Sequence, residues 1–230
     1  MSNEPKSLEE IIAECAQFAV PEGAWEAEQA RMRGTEVRDE LESTIPAGLR
    51  WAMFVDGTLR ATPKGETIAT PDAVRRSLAA IRCEHVVWMG APGRGKSSLA
   101  VASLRLWVAK SNRAAMFAKS HHLATARIQN KAGQGDAPYV VRAIVAPLLL
   151  IDDLGSGGAT ANDAAPDVIR DRVDEGRPLW ITTGMRRKEL AARFDGGALR
   201  RVMERAMVID LGGLDDLKRH VTADDAPRTR

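Results

Sequence analysis

Gly90, Gly95, Lys96 and Ser97, in the stretch GAPGRGKSSLA, stand at the spacing G-x-x-x-x-G-K-[ST]. That spacing suits a loop whose backbone N–H groups curl around a phosphate chain, because side chains on the glycines would block the approach. A lysine placed there reaches β- and γ-phosphate oxygens as a compact cation, and the following hydroxyl ligates Mg²⁺. The candidate cradle for ATP is the whole run Gly90, Ala91, Pro92, Gly93, Arg94, Gly95, Lys96, Ser97 and Ser98. A second candidate is the carboxylate pair at the end of the apolar run PLLLIDDLG. Asp152 suits the acid that holds Mg²⁺, directly or through a water, and Asp153 suits a general base for the attacking water. Such a pair also serves as a helix cap, so its position after the phosphate loop carries the argument. A third apolar run, LWITTGM, ends in Thr182 and Thr183. Either hydroxyl could meet a γ-phosphate or the attacking water, although threonines also simply suit a strand.

These residues need elements to hold them. EHVVWMG is a short apolar, β-branched run leading into the loop, and KSSLAVASLRLWVAK carries Leu99, Val101, Leu104, Leu106 and Trp107 at helical spacing. Strand, loop and helix therefore follow in the order that a phosphate site requires, with the anion at a helix N-terminus. Further strands are expected at 114–119, 147–153, 179–183 and 207–211, after the first at 85–90, with a helix over 72–82 before it. Alternation of such strands with helices indicates an α/β fold, a parallel sheet covered on both faces.

Composition bounds the remainder. A chain of 230 residues with 44% hydrophobic and 28% charged residues fits one sizeable core plus an appendage. Cys15 and Cys83 have neither metal-ligand spacing nor the look of a disulfide framework. The first residues lack a secretory pattern, and the longest apolar run, IVAPLLLI, is too short to cross a bilayer. A cytoplasmic protein with no membrane contact is expected. The net charge of +2 hides an asymmetry: residues 1–45 hold 11 acidic and 4 basic side chains. An acidic arm for a protein partner and a basic body for DNA would have this distribution, as would a solvated helix beside an ordinary domain. In the arm, Ser7 and Glu10 stand in capping-box register, and Leu8, Ile11, Ile12, Cys15, Phe18 and Ala19 share one helical stripe. Residues 24–43 are charged and helix-prone with sparse apolar points, and the chain divides into a partner-binding segment 1–45 and an ATPase domain 46–230.

The ordered set IPAGLRWAMF, GAPGRGKSSLA, MFAKSHHLATARI, APLLLIDDLG, RPLWITTGM and GALRRVMERAMVIDLG resembles the DnaC/IstB-type AAA+ ATPases, the bacterial and phage helicase loaders and transposition helpers. The resemblance runs from about Ile45 to Gly213. It implies a P-loop AAA+ core, a five-stranded parallel sheet of order 5-1-4-3-2, and self-association through ATP-bridged interfaces. It assigns Gly90–Ser98 the Walker A role, and Asp152 and Asp153 the Walker B role. Arg201, directly before the apolar Val202, takes the place of the arginine finger that acts on a neighbour's ATP. Two departures stand out: Gly184 follows the fourth strand where the family often has asparagine, leaving Thr183 as the sensor. Few residues follow the fifth strand, so a lid is expected to be short or absent, with Lys218 or Arg219 as the basic side chains left to approach the nucleotide. The implied partners are a replicative helicase and single-stranded DNA, or alternatively a transposase and duplex DNA. A small-molecule kinase fits less well, because no acceptor-binding or lid segment is recognisable. A module that has lost hydrolysis is disfavoured by the intact Lys96, Ser97, Asp152 and Asp153.

Overall fold

The computed structural model describes residues 24–66, 68–130, 135–156, 164–194 and 197–212. The capping box and stripe of residues 7–19, Gly213, Lys218 and Arg219 lie outside them. The described chain opens with helix α1 (Ala24–Thr44), followed by a 3-10 turn (Ala47–Leu49) and a small hairpin, β1 (Phe54–Val55) with β2 (Thr58–Leu59). Then come α2 (Pro71–Ala80), β3 (His85–Met89), α3 (Lys96–Ser111), β4 (Ala115–Lys119), α4 (Ser120–Gln129) and α5 (Pro138–Val145). The chain continues through β5 (Leu148–Asp152), α6 (Ala165–Asp174), β6 (Leu179–Thr183), α7 (Arg187–Arg193), α8 (Gly197–Arg205) and β7 (Met207–Asp210).

Five strands form one parallel sheet in the order β4-β5-β6-β3-β7. Numbered along the chain as core strands one to five, this is the expected order 5-1-4-3-2 read from the other edge. Both faces of the sheet are buried, which is why its strands read as continuous apolar runs rather than as alternating ones. Alternate residues still separate into two clusters. Val86, Trp88, Phe117, Leu148, Leu150 and Trp180 pack under α1, α2 and α3. Val87, Met89, Met116, Leu149, Ile151 and Ile181 pack under the helices of the other face, α4 to α8. Within the first cluster the rings of Trp88 and Trp180 meet edge to face at 5.5 Å, and the Trp88 indole N–H donates to Ser77 Oγ at 2.9 Å.

The sequence placed all of residues 1–45 in an appendage, but the end of α1 is part of the core. Leu41 and Ile45 are 1% and 2% exposed and join the α2–α3 cluster, with Val37 packed against it. Thr44 Oγ1 accepts the Phe117 N–H at 3.1 Å, so α1 also covers a backbone donor of the edge strand β4. Arg105 of α3 holds Glu42 through two hydrogen bonds of 2.6 and 2.5 Å and donates to the Arg50 and Ala52 carbonyls. Apolar points that look sparse along a charged helix suffice when they fall on one side. The next segment, 46–70, is the irregular connection that its glycines, prolines and threonines suggest.

Candidate phosphate site

The loop after β3 has the backbone that its glycines permit. Gly93 and Gly95 both sit at φ +79°, in the left-handed region that side-chain-bearing residues rarely adopt. Gly95 is the N-cap of α3, so the helix begins at Lys96 with its free N–H groups turned to the loop. A Cβ on Gly90 would lie 3.1 Å from the Gly212 carbonyl and from Leu211 Cβ, and one on Gly95 would lie 3.0 Å from the Ile68 carbonyl. The loop is thus wedged between the exit of β7 and the segment before α2. Hydrogen bonds fix that wedge, from Ala91 N–H to the Gly212 carbonyl (3.1 Å) and from Leu211 N–H to the Met89 carbonyl (2.8 Å). A cleft of about 130 Å³ opens beside it between Ile68, Arg94, Asp210 and Leu211.

Lys96 is 9% exposed, and its ammonium donates to the Ala91 carbonyl at 2.9 Å. Burial lowers its pKa from the usual 10.5, an effect that the nearby carboxylates of Asp153 and Asp152 oppose. The two halves of the expected site therefore face each other at the carboxyl edge of the sheet, where open α/β folds bind ligands. Asp152, the last residue of β5, is 4% exposed, and its Oδ1 accepts the Thr182 hydroxyl at 2.7 Å. The same Thr182 oxygen accepts the Asp153 N–H at 2.9 Å, which holds Asp153 in its left-handed conformation, φ +61°. Asp153 itself is exposed and Ser97 half-buried.

Thr183 occupies a different position from the sensor that the sequence suggests. It is fully buried, donates its hydroxyl to the Leu154 carbonyl at 2.8 Å and accepts the Met185 N–H at 3.0 Å. Its proton is committed to bracing the turn after the carboxylates, so no free donor faces a phosphate from this side chain. Thr182 is the more telling residue, and sheet register explains it. Ile151 pairs with Ile181, which sets the IDD and ITT strand ends side by side. Once β5 and β6 are neighbours, that clasp follows from the two motifs, and the sequence alone left the choice between the threonines open. Ile68, below Gly95, had no signal in the sequence.

Arg201 lies apart from these residues. It is half-exposed on α8 and pairs with Asp174 of α6 at 2.8 Å. Asp174 ends the helix before β6, and α8 ends just before β7, so the pair stands at the amino edge of the sheet. The phosphate loop stands at the opposite edge, across five-residue strands of roughly 16 Å.

No protein-family model matches the chain, and a search of curated proteins finds no match. Solved structures do match. The DnaC helicase loader aligns with a TM-score of 0.53 at 22% identity, covering 60% of this chain and 89% of that one. The chain has the fold of a DnaC-type AAA+ protein. DnaI aligns with a TM-score of 0.47 at 20% identity, covering 62% of this chain and 81% of that one. AMPPCP-bound DnaA from Aquifex aeolicus aligns with a TM-score of 0.45 at 15% identity, covering 60% and 45%. No described helix is long and apolar enough to cross a membrane.

Among the described residues no three His, Cys, Asp or Glu side chains gather as a self-sufficient metal site.

Proposed function

We propose that this protein is an ATP hydrolase that acts as a helicase loader, placing a replicative helicase on single-stranded DNA. The observation that carries the ATPase half is the buried Lys96 ammonium facing Asp152 and Asp153 under a glycine-conformed loop that starts a helix. The backbone N–H groups of Gly93, Gly95, Lys96, Ser97 and Ser98 cradle the triphosphate, and Lys96 turns its free donors to the β- and γ-oxygens. Ser97 and Asp152 would hold Mg²⁺, which would neutralise charge on the phosphates. Asp153, exposed at the strand end, is placed to take a proton from water. Arg201 serves a neighbouring subunit's site, because its own lies across the sheet.

The loader half is supported by the fold shared with a structure named as the DnaC helicase loader, of which this chain covers 89%. The acidic segment ahead of α1 is the candidate grip on the helicase, and the basic body is the candidate contact with DNA phosphates. The test is capture of purified replicative helicase and, in parallel, of a purified transposase, by the full chain and by a chain lacking residues 1–23. A deletion through 45 is unsuitable, since it removes Leu41, Thr44 and Ile45 from the core. The loader reading expects helicase retention that the deletion abolishes while ATP affinity holds. Retention of a transposase in place of the helicase would turn the assignment to the transposition helpers. Binding of neither would overturn the loader half and leave the ATPase half standing.

A further inference from the structure

The turn that follows β5 has a backbone that must be held. Asp153 stands at φ +61° and Gly155 at φ +88°, both in the left-handed region. A residue with a side chain stays there only where its surroundings over-determine it. Contacts with β6 fix the entrance of the turn. The Thr182 hydroxyl accepts the Asp153 N–H at 2.9 Å, and the Leu154 N–H donates to the Thr182 carbonyl at 2.8 Å. The Thr183 hydroxyl donates to the Leu154 carbonyl, and the Ser156 N–H and hydroxyl return to the Asp153 carbonyl at 3.3 and 3.0 Å.

The exit of the turn is held from another element. Arg193, the last residue of α7 and 38 residues further along the chain, donates from its guanidinium to the Gly155 carbonyl at 2.7 Å. Met185 packs over the same glycine, where a Cβ would stand 2.1 Å from its sulfur. The half-buried guanidinium also lies 5.9 Å from the ring of Phe194, which is 8% exposed and belongs to the core under α7. A charged donor makes a stronger bond to a carbonyl than a neutral one, and this one is anchored in packed structure on its own side.

We propose that Arg193 is a positioning residue for ATP hydrolysis: by holding the Gly155 carbonyl it keeps the Asp153 carboxylate aimed at the attacking water. The inference rests on the reading of Asp153 as general base. Arg193 acts through the turn and touches no nucleotide, so the phosphate loop binds ATP without it. The exposed carboxylate of Asp153 has no other side chain to aim it among the hydrogen bonds of the turn, which all engage backbone atoms. Its aim is therefore set by the backbone, and the backbone by its two ends.

Steady-state hydrolysis and calorimetric ATP affinity are measured for Arg193→Gln, Arg193→Lys, Asp153→Asn and the double variant Arg193→Gln with Asp153→Asn. Arg193→Gln should lose roughly 10–100-fold in kcat, the scale of a misplaced catalytic group, with KM and ATP affinity within about twofold. Arg193→Lys keeps a cationic donor and should recover most of that loss. Adding Arg193→Gln to Asp153→Asn should cost nothing further, because a carboxylate that is gone cannot be misplaced. A normal kcat in Arg193→Gln beside a slow Asp153→Asn overturns the positioning role and leaves the general base standing. Losses that multiply in the double variant also overturn it, since Arg193 then acts apart from Asp153. So does a matching loss of ATP affinity in Arg193→Gln, the mark of a loosened fold. Normal turnover by Asp153→Asn removes the general base and this inference together.

Discussion

Burial of the Lys96 ammonium makes its charge state depend on what fills the loop. Its pKa lies below that of an exposed lysine because desolvation outweighs the attraction of Asp153 and Asp152. The folded form therefore holds its proton less tightly than the unfolded chain, and at neutral pH the buried ammonium costs the fold some stability. A triphosphate against it reverses the shift. ATP binding should then take up protons in the alkaline range below 10.5, and affinity should fall as pH rises through the pKa of the empty site. Calorimetry in two buffers of different ionisation enthalpy reads that uptake, and Lys96→Ala should abolish it together with most of the binding. Proton release, or no exchange, would separate Lys96 from the phosphates. Thr182 gives the second prediction at this scale. Its hydroxyl both donates to Asp152 and accepts from Asp153 N–H, so Thr182→Val frees the carboxylate and the turn together. A loss of roughly 10–100-fold in kcat, or a matching rise in the Mg²⁺ needed for half-activity, is the usual size for such a supporting bond. Thr182→Ser keeps the hydroxyl and should restore both, with ATP affinity in the absence of metal unchanged in either variant. A valine variant with normal Mg²⁺ dependence and turnover would leave the clasp a purely structural bond.

Elements were legible in the sequence where periodicity and burial agree. The five strands fall within a residue of the expected runs, because strands buried on both faces in this sheet have few polar interruptions to obscure them. The helix expected at 72–82 is observed at 71–80, started by Pro71 and capped by the Thr70 hydroxyl. The glycine turn between β3 and α3 was legible as a turn, since the left-handed conformations of Gly93 and Gly95 have few substitutes. Side chains that act across distant segments were not legible: nothing local marks Thr44 as a cover for β4 or Ile68 as the neighbour of Gly95. Arg172 is the strongest example. It reads as one more charge on an amphipathic helix, yet it is fully buried and donates to the Ala143, Ile144, Ala146 and Pro178 carbonyls. Burial pulls its pKa down to about 10, still well above neutrality, so the strut stays charged. It ties the end of α5 to the start of β6, the strand that carries Thr182. Arg172→Met should cost about 3 kcal/mol, because it strands several buried carbonyls at once. Urea unfolding with an unchanged m-value reads the loss, and a change below about 0.5 kcal/mol would mean that water or backbone movement replaces the guanidinium.

On the scale of the whole molecule, the two ends of the sheet divide the chemistry. Lys96, Asp152 and Asp153 gather at the carboxyl edge, and Arg201 stands with Asp174 at the amino edge. One chain cannot bring both to one nucleotide without dismantling the sheet between them. A head-to-tail contact can, since it sets the amino edge of one subunit against the carboxyl edge of the next. In that arrangement Arg201 exchanges Asp174, an exposed pairing of small net value, for the γ-phosphate of a neighbour. Hydrolysis per subunit should rise with protein concentration until the interface is filled. Lys96→Ala and Arg201→Ala should each be inactive, one for want of a bound nucleotide and the other for want of the arginine. Mixed in equal amounts, they form some interfaces in which an intact phosphate loop meets an intact Arg201. Random association makes about a quarter of interfaces of that kind, so the mixture should recover a comparable fraction of the unmodified rate. Recovery would be specific to the mixture, because neither variant regains activity when its own concentration is raised. A flat rate per subunit across concentration, with no recovery on mixing, would show instead that each chain hydrolyses alone and that Arg201 only braces α8 against α6.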